Sequence, residues 1–246
     1  MSKNGITINW KIPQLLGPST SLSHICEHKY SVEIMSIDPL VLYLNDFVSE
    51  AEVQYLLDLG KDSFAPSKIT RGVGNHLNLT ARRSQTAFLP ENDPTCDCLI
   101  ERMKLLLGNV QHRDVEGLQL VKYSSGGDTF RVHTDWTEVL TNHTVNSTGI
   151  VRQSRRLGSI FVYLEDDCVR GETFFPELSS VSESADGEKF AIAASGKGLL
   201  VKPRRRNGIF WNNLHANGSG DFRLAHAGLP IESGSKLDLT CGVPII

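Results

Sequence analysis

Two histidines and one aspartate in this chain have the types and the spacing of a metal site. His133 and Asp135 stand two residues apart in a segment typical of a β-strand, and His226 lies in another such segment. Alternate residues of a strand project from the same face, so His133 and Asp135 would point together. Two imidazoles and a carboxylate on one side of a metal are the ligand set of non-haem Fe(II) oxygenases, which leave the opposite positions open. The spacing therefore predicts an iron site of His133, Asp135 and His226.

A series of short strands has to hold these residues in place. Strands are predicted over residues 118–123, 130–135, 157–164, 172–175, 198–202, 208–211, 222–227 and 236–242. Two helices precede them: Ser49 and Glu52 form a capping box for the first, and Asp93-Pro94 opens the second. Helices followed by strands favour a mainly β fold with supporting helices, namely a double-stranded β-helix or cupin-like jelly roll.

Residues 137–155 and 178–196 are predicted to be long loops. Loops of this length are often lids or binding loops. The first directly follows the His-x-Asp pair, so we expect it either to close over a substrate or to be a solvated insertion.

Further motifs follow one another in an informative order. They are residues 38–47 (DPLVLYLNDF), 83–89 (RSQTAFL), 156–165 (RLGSIFVYLE), 171–176 (GETFFP), 207–215 (NGIFWNNLH) and 226–236 (HAGLPIESGSK). Together with the His-x-Asp pair, this order resembles the prolyl 4-hydroxylase-type family of 2-oxoglutarate/Fe(II) dioxygenases. The resemblance covers roughly residues 36–243.

The resemblance implies roles for four residues near the iron. Lys236, ten residues after His226, would bind the distal carboxylate of 2-oxoglutarate, because a buried cation needs a partner. Tyr163 would hydrogen-bond the same carboxylate, Tyr123 would line the co-substrate pocket and Thr173 would add a hydroxyl nearby. The ordinary alternatives are an exposed strand-edge lysine, two core tyrosines and a strand threonine.

The resemblance also implies the reaction. The protein would be an oxidoreductase that uses Fe(II), 2-oxoglutarate and O2, with ascorbate as reductant, to hydroxylate an unactivated C–H of a peptidyl proline. The alternative substrate is a small specialised metabolite. Arg170 and Leu237 depart from the family's usual glycine and aromatic residue, which leaves the substrate open. Because no peptide-binding domain precedes residue 36, we do not expect a collagen substrate.

Two other classes of function compete with this interpretation. A non-catalytic jelly-roll binding module would be expected to lose a metal ligand, and this chain keeps all three. A cupin-type metal enzyme without 2-oxoglutarate would not need Lys236 or Tyr163.

Composition sets the wider limits. A chain of 246 residues fits one catalytic domain over residues 36–246, preceded by an extension over residues 1–35. The formal net charge of −3 gives no sign of a nucleic-acid partner. No apolar run reaches the roughly 18 residues of a membrane span. The oligomeric state stays open.

Cysteines and glycosylation motifs bear on the compartment. Five cysteines allow at most two disulfides, and Cys96 and Cys98 are too close to pair with each other. Four sequons occur, at Asn78, Asn142, Asn146 and Asn217. They favour a glycoprotein of the secretory pathway or endoplasmic reticulum, where many members of the family reside, although this chain shows no targeting segment. A cytoplasmic location is the alternative.

Overall fold

The fold consists of many short strands and two helices. The computed structural model describes residues 6–8, 26–70, 75–76, 78–108, 115–138, 140–145 and 150–245. Its strands, in chain order, are β1 (Ile6–Ile8), β2 (Tyr30–Ile37), β3 (Leu40–Asn45), β4 (Ala65–Pro66), β5 (Ile69–Thr70), β6 (Asn75–His76), β7 (Arg82–Arg83), β8 (Gln85–Phe88), β9 (Gln119–Ser124), β10 (Thr129–His133), β11 (Thr141–Val145), β12 (Ile150–Glu165), β13 (Cys168–Arg170), β14 (Thr173–Phe175), β15 (Phe190–Ile192), β16 (Leu199–Val201), β17 (Gly208–Asn212), β18 (His226–Gly228) and β19 (Ile231–Ile245). The helices are α1 (Glu50–Gly60), α2 (Pro94–Leu106) and a 3₁₀ turn at Phe222–Leu224.

Two antiparallel sheets form the body of the protein. The major sheet has the order β1-β2-β3-β17-β12-β19-β9-β8-β4, with β11 attached to β12 and β13 to β19. The minor sheet has the order β15-β16-β14-β18-β10-β7, and β5 pairs with β6 in a separate ribbon. Many paired strands, such as β9 and β19, are distant in sequence. The predicted fold class, a mainly β double-stranded β-helix with supporting helices, is confirmed.

The helices cover one face of the major sheet. Leu56 of α1 and Leu99 of α2 share a buried cluster with Leu120 of β9 and Leu239 of β19. Burial of such side chains contributes on the order of 1.5–3 kcal/mol each. The helices thereby fix the major sheet from behind.

Both helices begin where the sequence predicts. The Ser49 hydroxyl accepts from the backbone N–H of Glu52, whose carboxylate accepts from the Ser49 N–H. Asp93 caps α2 in front of Pro94. A buried ion pair between Arg102 and Glu52, 2.7 Å apart, ties the two helices together.

The alternation of β19 divides its side chains between the helices and the minor sheet. Leu237 and Leu239 belong to the cluster under the helices. Lys236 and Asp238 therefore project from the opposite face, towards the space between the sheets. This alternation places two charged side chains in the protein interior, where both are buried.

The prediction of a loop over residues 137–155 is wrong. β11 pairs with the beginning of β12, from Thr141 opposite Ser154 to Val145 opposite Ile150. Strand pairing therefore extends into the segment that was predicted to be a loop. Residues 139 and 146–149 lie outside the described residues. A role of this hairpin over substrate stays a prediction.

Two other boundaries also differ. The segment 222–227 is not one strand: Asp221 caps a 3₁₀ turn at Phe222–Leu224 by accepting the N–H of Arg223, and β18 begins only at His226. Residues 178–196 contain the short strand β15, which pairs with β16.

The first part of the chain joins the rest at several points. β1 pairs with β2, and Cys26 forms a disulfide with Cys98 of α2. Cys96 is buried as a free thiol. The division into an extension over 1–35 and a domain over 36–246 stays a prediction. In the described part of the chain, no helix has the length and apolarity to cross a membrane.

Candidate active site

The two predicted histidine ligands are partners across the minor sheet. His133 is the last residue of β10, His226 is the first of β18, and the two are paired in register. Their ring centroids are 4.3 Å apart. Strand pairing thus brings together two imidazoles that are far apart in the sequence.

Asp135 reaches the same point from beyond the strand. The predicted strand over 130–135 ends at His133, so alternation along a strand is not what aligns the pair. Asp135 Oδ1 nevertheless lies 3.6 Å from Nε2 of His133 and 3.9 Å from Nε2 of His226. The three ligand atoms all lie within 4.8 Å of one another, a spacing at which one ion can contact them all.

Backbone carbonyls hold both imidazoles in the same orientation. Nδ1 of His133 lies 2.8 Å from the carbonyl of Arg131, and Nδ1 of His226 lies 3.0 Å from that of Leu224. A carbonyl can only accept, so each Nδ1 donates its proton and each Nε2 keeps a lone pair. Burial and the neighbouring His226 lower the pKa of His133 to about 3. His133 is therefore neutral, as a metal ligand has to be.

A hydrogen-bonded pair fixes the carboxylate of Asp135. The Ser159 hydroxyl donates to Asp135 Oδ2 at 2.5 Å, and the Asn213 side-chain amide donates to the Ser159 oxygen at 3.0 Å. Burial opposes ionisation of Asp135, but the nearby His226 and Arg156 outweigh it and lower its pKa below the usual range. Oδ2 is thus held by Ser159, and Oδ1 faces the histidines.

Aromatic rings restrict both imidazoles. The His133 ring stacks on Phe130 with centroids 3.5 Å apart. The His226 ring lies 4.7 Å from Trp211 and 5.4 Å from Phe175. These contacts and the carbonyl bonds arrange the ligands before any metal binds, which is the support that metal sites need.

Lys236 lies at the other end of the site. It is 1% exposed, and its ammonium donates one hydrogen bond, to the carbonyl of Gly171 at 2.9 Å. The rings of Tyr123 and Phe161 lie 4.8 and 5.4 Å from Nζ. An ammonium has three N–H donors, and the structure shows a hydrogen-bond acceptor for one of them. The remaining capacity suits an anionic ligand.

One cavity connects the two ends. Its volume is about 760 Å³ including its open mouth. Its walls include His133, Asp135, His226, Lys236, Tyr123, Thr173, Arg82, Glu116, Arg156, Ser159, Phe161 and Trp211. The structure therefore brings the predicted ligands together with Lys236, Tyr123 and Thr173. Tyr163 is fully buried next to this wall, with its hydroxyl 2.8 Å from that of Thr173.

Known prolyl 4-hydroxylases are similar to this chain in sequence. The chain is 26% identical to prolyl 4-hydroxylase subunit alpha-1 of Mus musculus over 202 residues, which is 80% of this chain and 33% of that protein. It is 25% identical to prolyl 4-hydroxylase 1 of Arabidopsis thaliana over 211 residues, which is 85% of this chain and 70% of the relative. No protein-family model matches the sequence.

Solved structures of prolyl hydroxylases share the fold. The viral collagen prolyl hydroxylase of Paramecium bursaria Chlorella virus-1, in its 2-oxoglutarate complex, matches with a TM-score of 0.59 at 19% identity, over 84% of this chain and 96% of that one. A Trichoplax adhaerens prolyl hydroxylase, bound to a peptide fragment of a hypoxia inducible factor, matches with a TM-score of 0.53 at 15% identity, over 82% of each chain. The chain is prolyl 4-hydroxylase-like. The chain spans 33% of the length of the mouse relative, so the similarity covers only part of that longer protein.

The sequence does not predict an ion pair that lies in the cavity wall. Arg156 donates to both carboxylate oxygens of Glu116, at 2.8 and 2.5 Å, and its Nη1 lies 3.6 Å from Asp135 Oδ1. Nothing in the local sequence pairs residues forty positions apart. Arg223 lies outside this pair and bonds to Asp221 and Asp38.

Two further residues carried a sequence signal that was not used. Ser159 lies on a predicted strand, and Asn213 lies in the NGIFWNNLH motif, but neither had a predicted role. Asp238 stands two residues after Lys236 on a strand, so the alternation applied to His133 and Asp135 also predicts a carboxylate beside the lysine.

Proposed function

We propose that this protein is a 2-oxoglutarate- and Fe(II)-dependent dioxygenase that hydroxylates a peptidyl proline. One observation carries the proposal: a single cavity is lined by the His133, Asp135 and His226 cluster and by the buried ammonium of Lys236. The cluster has the donor types and proximity that suit Fe(II). The ammonium suits the distal carboxylate of a dicarboxylic co-substrate.

Each residue of the site would have a distinct role. His133, Asp135 and His226 would hold the iron, which with 2-oxoglutarate and O2 supplies the oxidising chemistry. Ser159 would keep Asp135 oriented through its 2.5 Å hydrogen bond. Lys236 would hold the co-substrate's distal carboxylate.

Three further side chains would complete the co-substrate pocket. Thr173 and Tyr123 would form its walls, since both line the cavity. Tyr163 would reach the distal carboxylate through a rearrangement of the hydrogen bond that it now shares with Thr173.

The relatives support a peptide as substrate. Their names are those of prolyl hydroxylases, and the Trichoplax adhaerens structure contains a peptide. The viral protein is described as a collagen hydroxylase and matches over 96% of its own length. The expectation against collagen stays a prediction, and proline-rich repeats belong among the test peptides so that it is tested.

The experiment begins with anaerobic titration of Fe(II) into the protein, with and without 2-oxoglutarate. The weak visible charge-transfer band of the chelate should form when both are present and be missing in His226→Ala. On admitting O2 with a proline-containing peptide, succinate and a peptide with one added oxygen should form in equal amounts. A folded protein that binds no Fe(II) and shows no band would favour the binding module. Fe(II) binding without the band and without succinate formation would favour a cupin-type enzyme.

A small specialised metabolite is the alternative substrate. It would be indicated if the chelate forms and 2-oxoglutarate is slowly consumed, while no proline peptide gains oxygen. We also propose ascorbate as the reductant. Without ascorbate, activity should decline over successive turnovers and return when ascorbate is added.

We further propose a secretory or endoplasmic reticulum location, with cytoplasm as the alternative. The Cys26–Cys98 disulfide supports it, because disulfides persist in oxidising compartments. Asn217 is exposed, and its side-chain oxygen accepts from the Ser219 hydroxyl of the same sequon at 2.7 Å. Expression in secretory cells should give a protein whose mass falls on glycosidase treatment, and less so for Asn217→Gln. An unchanged mass after glycosidase treatment would contradict the glycoprotein proposal.

A further inference from the structure

Lys236 has a carboxylate of its own beside it. Asp238 is 0% exposed, and its Oδ2 lies 3.4 Å from Nζ of Lys236. Neither Asp238 oxygen has a hydrogen-bond donor among the residues that the structure describes. The cation that suits a co-substrate carboxylate therefore already faces an internal one.

Two carboxylates around one ammonium cannot both be ionised cheaply in a dry site. A buried charge needs pairing and hydrogen bonds, and like charges in close proximity raise the pKa of one partner. Lys236 offers a single positive charge, and within the described part of the chain Asp238 accepts no hydrogen bond that would spread its negative charge. Arrival of a second carboxylate at Lys236 would add repulsion to an already poorly solvated Asp238.

We propose that Asp238 is a proton-accepting counter-ion of Lys236, which takes up one proton from solvent when the distal carboxylate of 2-oxoglutarate binds. The inference rests on the proposed function. The proton forms an O–H bond on the Asp238 carboxylate and returns to solvent when the co-substrate leaves. Asp238 is thus a positioning residue that makes co-substrate affinity depend on pH.

The surroundings of Asp238 are consistent with titration near neutral pH. Burial raises its pKa to about 7, against the opposing attraction of Lys236. From β12, burial raises the pKa of Tyr163, and from β13 it raises the pKa of Cys168 to about 11, so both stay neutral at pH 7. The other ionisable groups nearby are Tyr123 on β9, over whose ring Lys236 lies, and Glu172, which faces Arg170 at 3.7 Å.

The sign of the pH dependence follows from linkage. A second carboxylate raises the pKa of Asp238 further, so the complex binds more protons than the free protein above pH 7. Affinity for 2-oxoglutarate should therefore be highest below pH 7 and fall as pH rises. If the free protein titrates near 7, the fall between pH 6 and pH 8 is about tenfold.

Calorimetry on protein loaded with Mn²⁺, which replaces Fe²⁺ to avoid turnover, tests the proposal. 2-Oxoglutarate is titrated at pH 6 and pH 8 in buffers of different protonation enthalpy. Wild type should take up close to one proton per ligand at pH 8 and bind about tenfold more weakly than at pH 6. Asp238→Asn should take up none and bind equally well at both pH values.

Two controls isolate the Lys236 end. Glu52→Gln also removes a carboxylate facing a buried cation, Arg102, but away from the cavity, and should keep the wild-type pH dependence. The ligand control is 2-oxopentanoate, which has the same carbon chain as 2-oxoglutarate without the distal carboxylate. Its binding should take up no proton.

Several outcomes would overturn the inference. They are binding of 2-oxoglutarate to wild type without proton uptake at pH 8, equal uptake with 2-oxopentanoate, or weaker binding by folded Asp238→Asn at both pH values. If Asp238→Asn does not fold, two measurements on wild type still test the inference. They are the number of protons taken up on binding 2-oxoglutarate and the comparison with 2-oxopentanoate. Absence of 2-oxoglutarate binding at every pH overturns the proposed function as well, whereas binding without proton uptake leaves that function standing.

Discussion

The two ends of the cavity are built in opposite ways. At the metal end, the side chains of His133 and Asp135 are 20% and 16% exposed, and each ligand has a hydrogen bond that fixes it. At the lysine end, the side chains of Lys236 and Asp238 are 1% and 0% exposed, and the carboxylate has no hydrogen bond among the described residues. The metal end is thus ready for its ligand, while the lysine end holds charges that a ligand has to rearrange.

The position of each end in the fold explains the difference. His133 and His226 terminate strands of the minor sheet, where backbone carbonyls and solvent are both within reach. Lys236 lies inside the major sheet, on β19 between β12 and β9, with aromatic rings around its ammonium. The side chains of His133 and Asp135 at the first end are therefore partly exposed, whereas those of Lys236 and Asp238 at the second are buried. Substitutions at each end test this contrast.

Removing a histidine should have the largest effect. His226→Ala or His133→Ala leaves two ligands, so Fe(II) binding and product formation should be lost while the circular dichroism spectrum stays that of wild type. The matched control is His215→Ala, because His215 is half exposed and pairs with Asp221. An active His226→Ala, or an inactive but folded His215→Ala, would place the metal elsewhere.

Removing the ammonium should weaken binding of the co-substrate and leave iron binding intact. Lys236→Ala deletes a charge-assisted hydrogen bond of about 1.5–3 kcal/mol, so the apparent affinity for 2-oxoglutarate should fall roughly ten- to a hundredfold. Fe(II) affinity should barely change. Exposed Lys197→Ala provides the control. An unchanged 2-oxoglutarate dependence would indicate that Arg156, in the same cavity wall, holds the carboxylate.

Removing the internal carboxylate should change how stability depends on pH. The folded pKa of Asp238, about 7, lies above the unfolded value near 3.9, so the folded protein keeps a proton that the unfolded chain releases. As the pH rises from 5 to 7, the free energy of unfolding of metal-free wild type should fall relative to that of Asp238→Asn by roughly 1.2 kcal/mol per pH unit. Urea unfolding at several pH values measures this difference. Parallel curves would show that Asp238 does not titrate in this range.

Removing the hydrogen bond from Ser159 to Asp135 should have the smallest effect on ligand binding. Ser159→Ala deletes one hydrogen bond to the carboxylate but keeps the ligand, so Fe(II) affinity should fall by about tenfold. At saturating iron, the 2-oxoglutarate dependence should match wild type, because Ser159 acts at the metal end. Exposed Ser182→Ala should change neither quantity. Equal losses of Fe(II) affinity and 2-oxoglutarate affinity would show that the two ends of the cavity are coupled.

The sequence predicted the helices and most strands because their signals are local. Capping residues at Ser49 and Asp93 act within one helical turn, and α1 and α2 begin where they indicate. The hairpin within residues 137–155 is not predictable from the local sequence. β11 forms by pairing with β12, and its own polar residues show no strand pattern. The turn at Phe222–Leu224 was missed because Asp221 caps it within a segment that otherwise suits a strand.

The residues that could bind a metal and a dicarboxylate are identifiable from the sequence alone: two histidines, an aspartate and a lysine in a fixed order along short strands. Spacing and order suffice for this, because they reflect which residue types a metal and a dicarboxylate need. Which other groups support these residues depends on the tertiary structure. The pairing of His133 with His226, the hydrogen bond from Ser159 to Asp135 and the burial of Asp238 beside Lys236 depend on how two sheets face each other. Burial and contacts between distant strands set the charge of each group, and neither is a property of the local sequence.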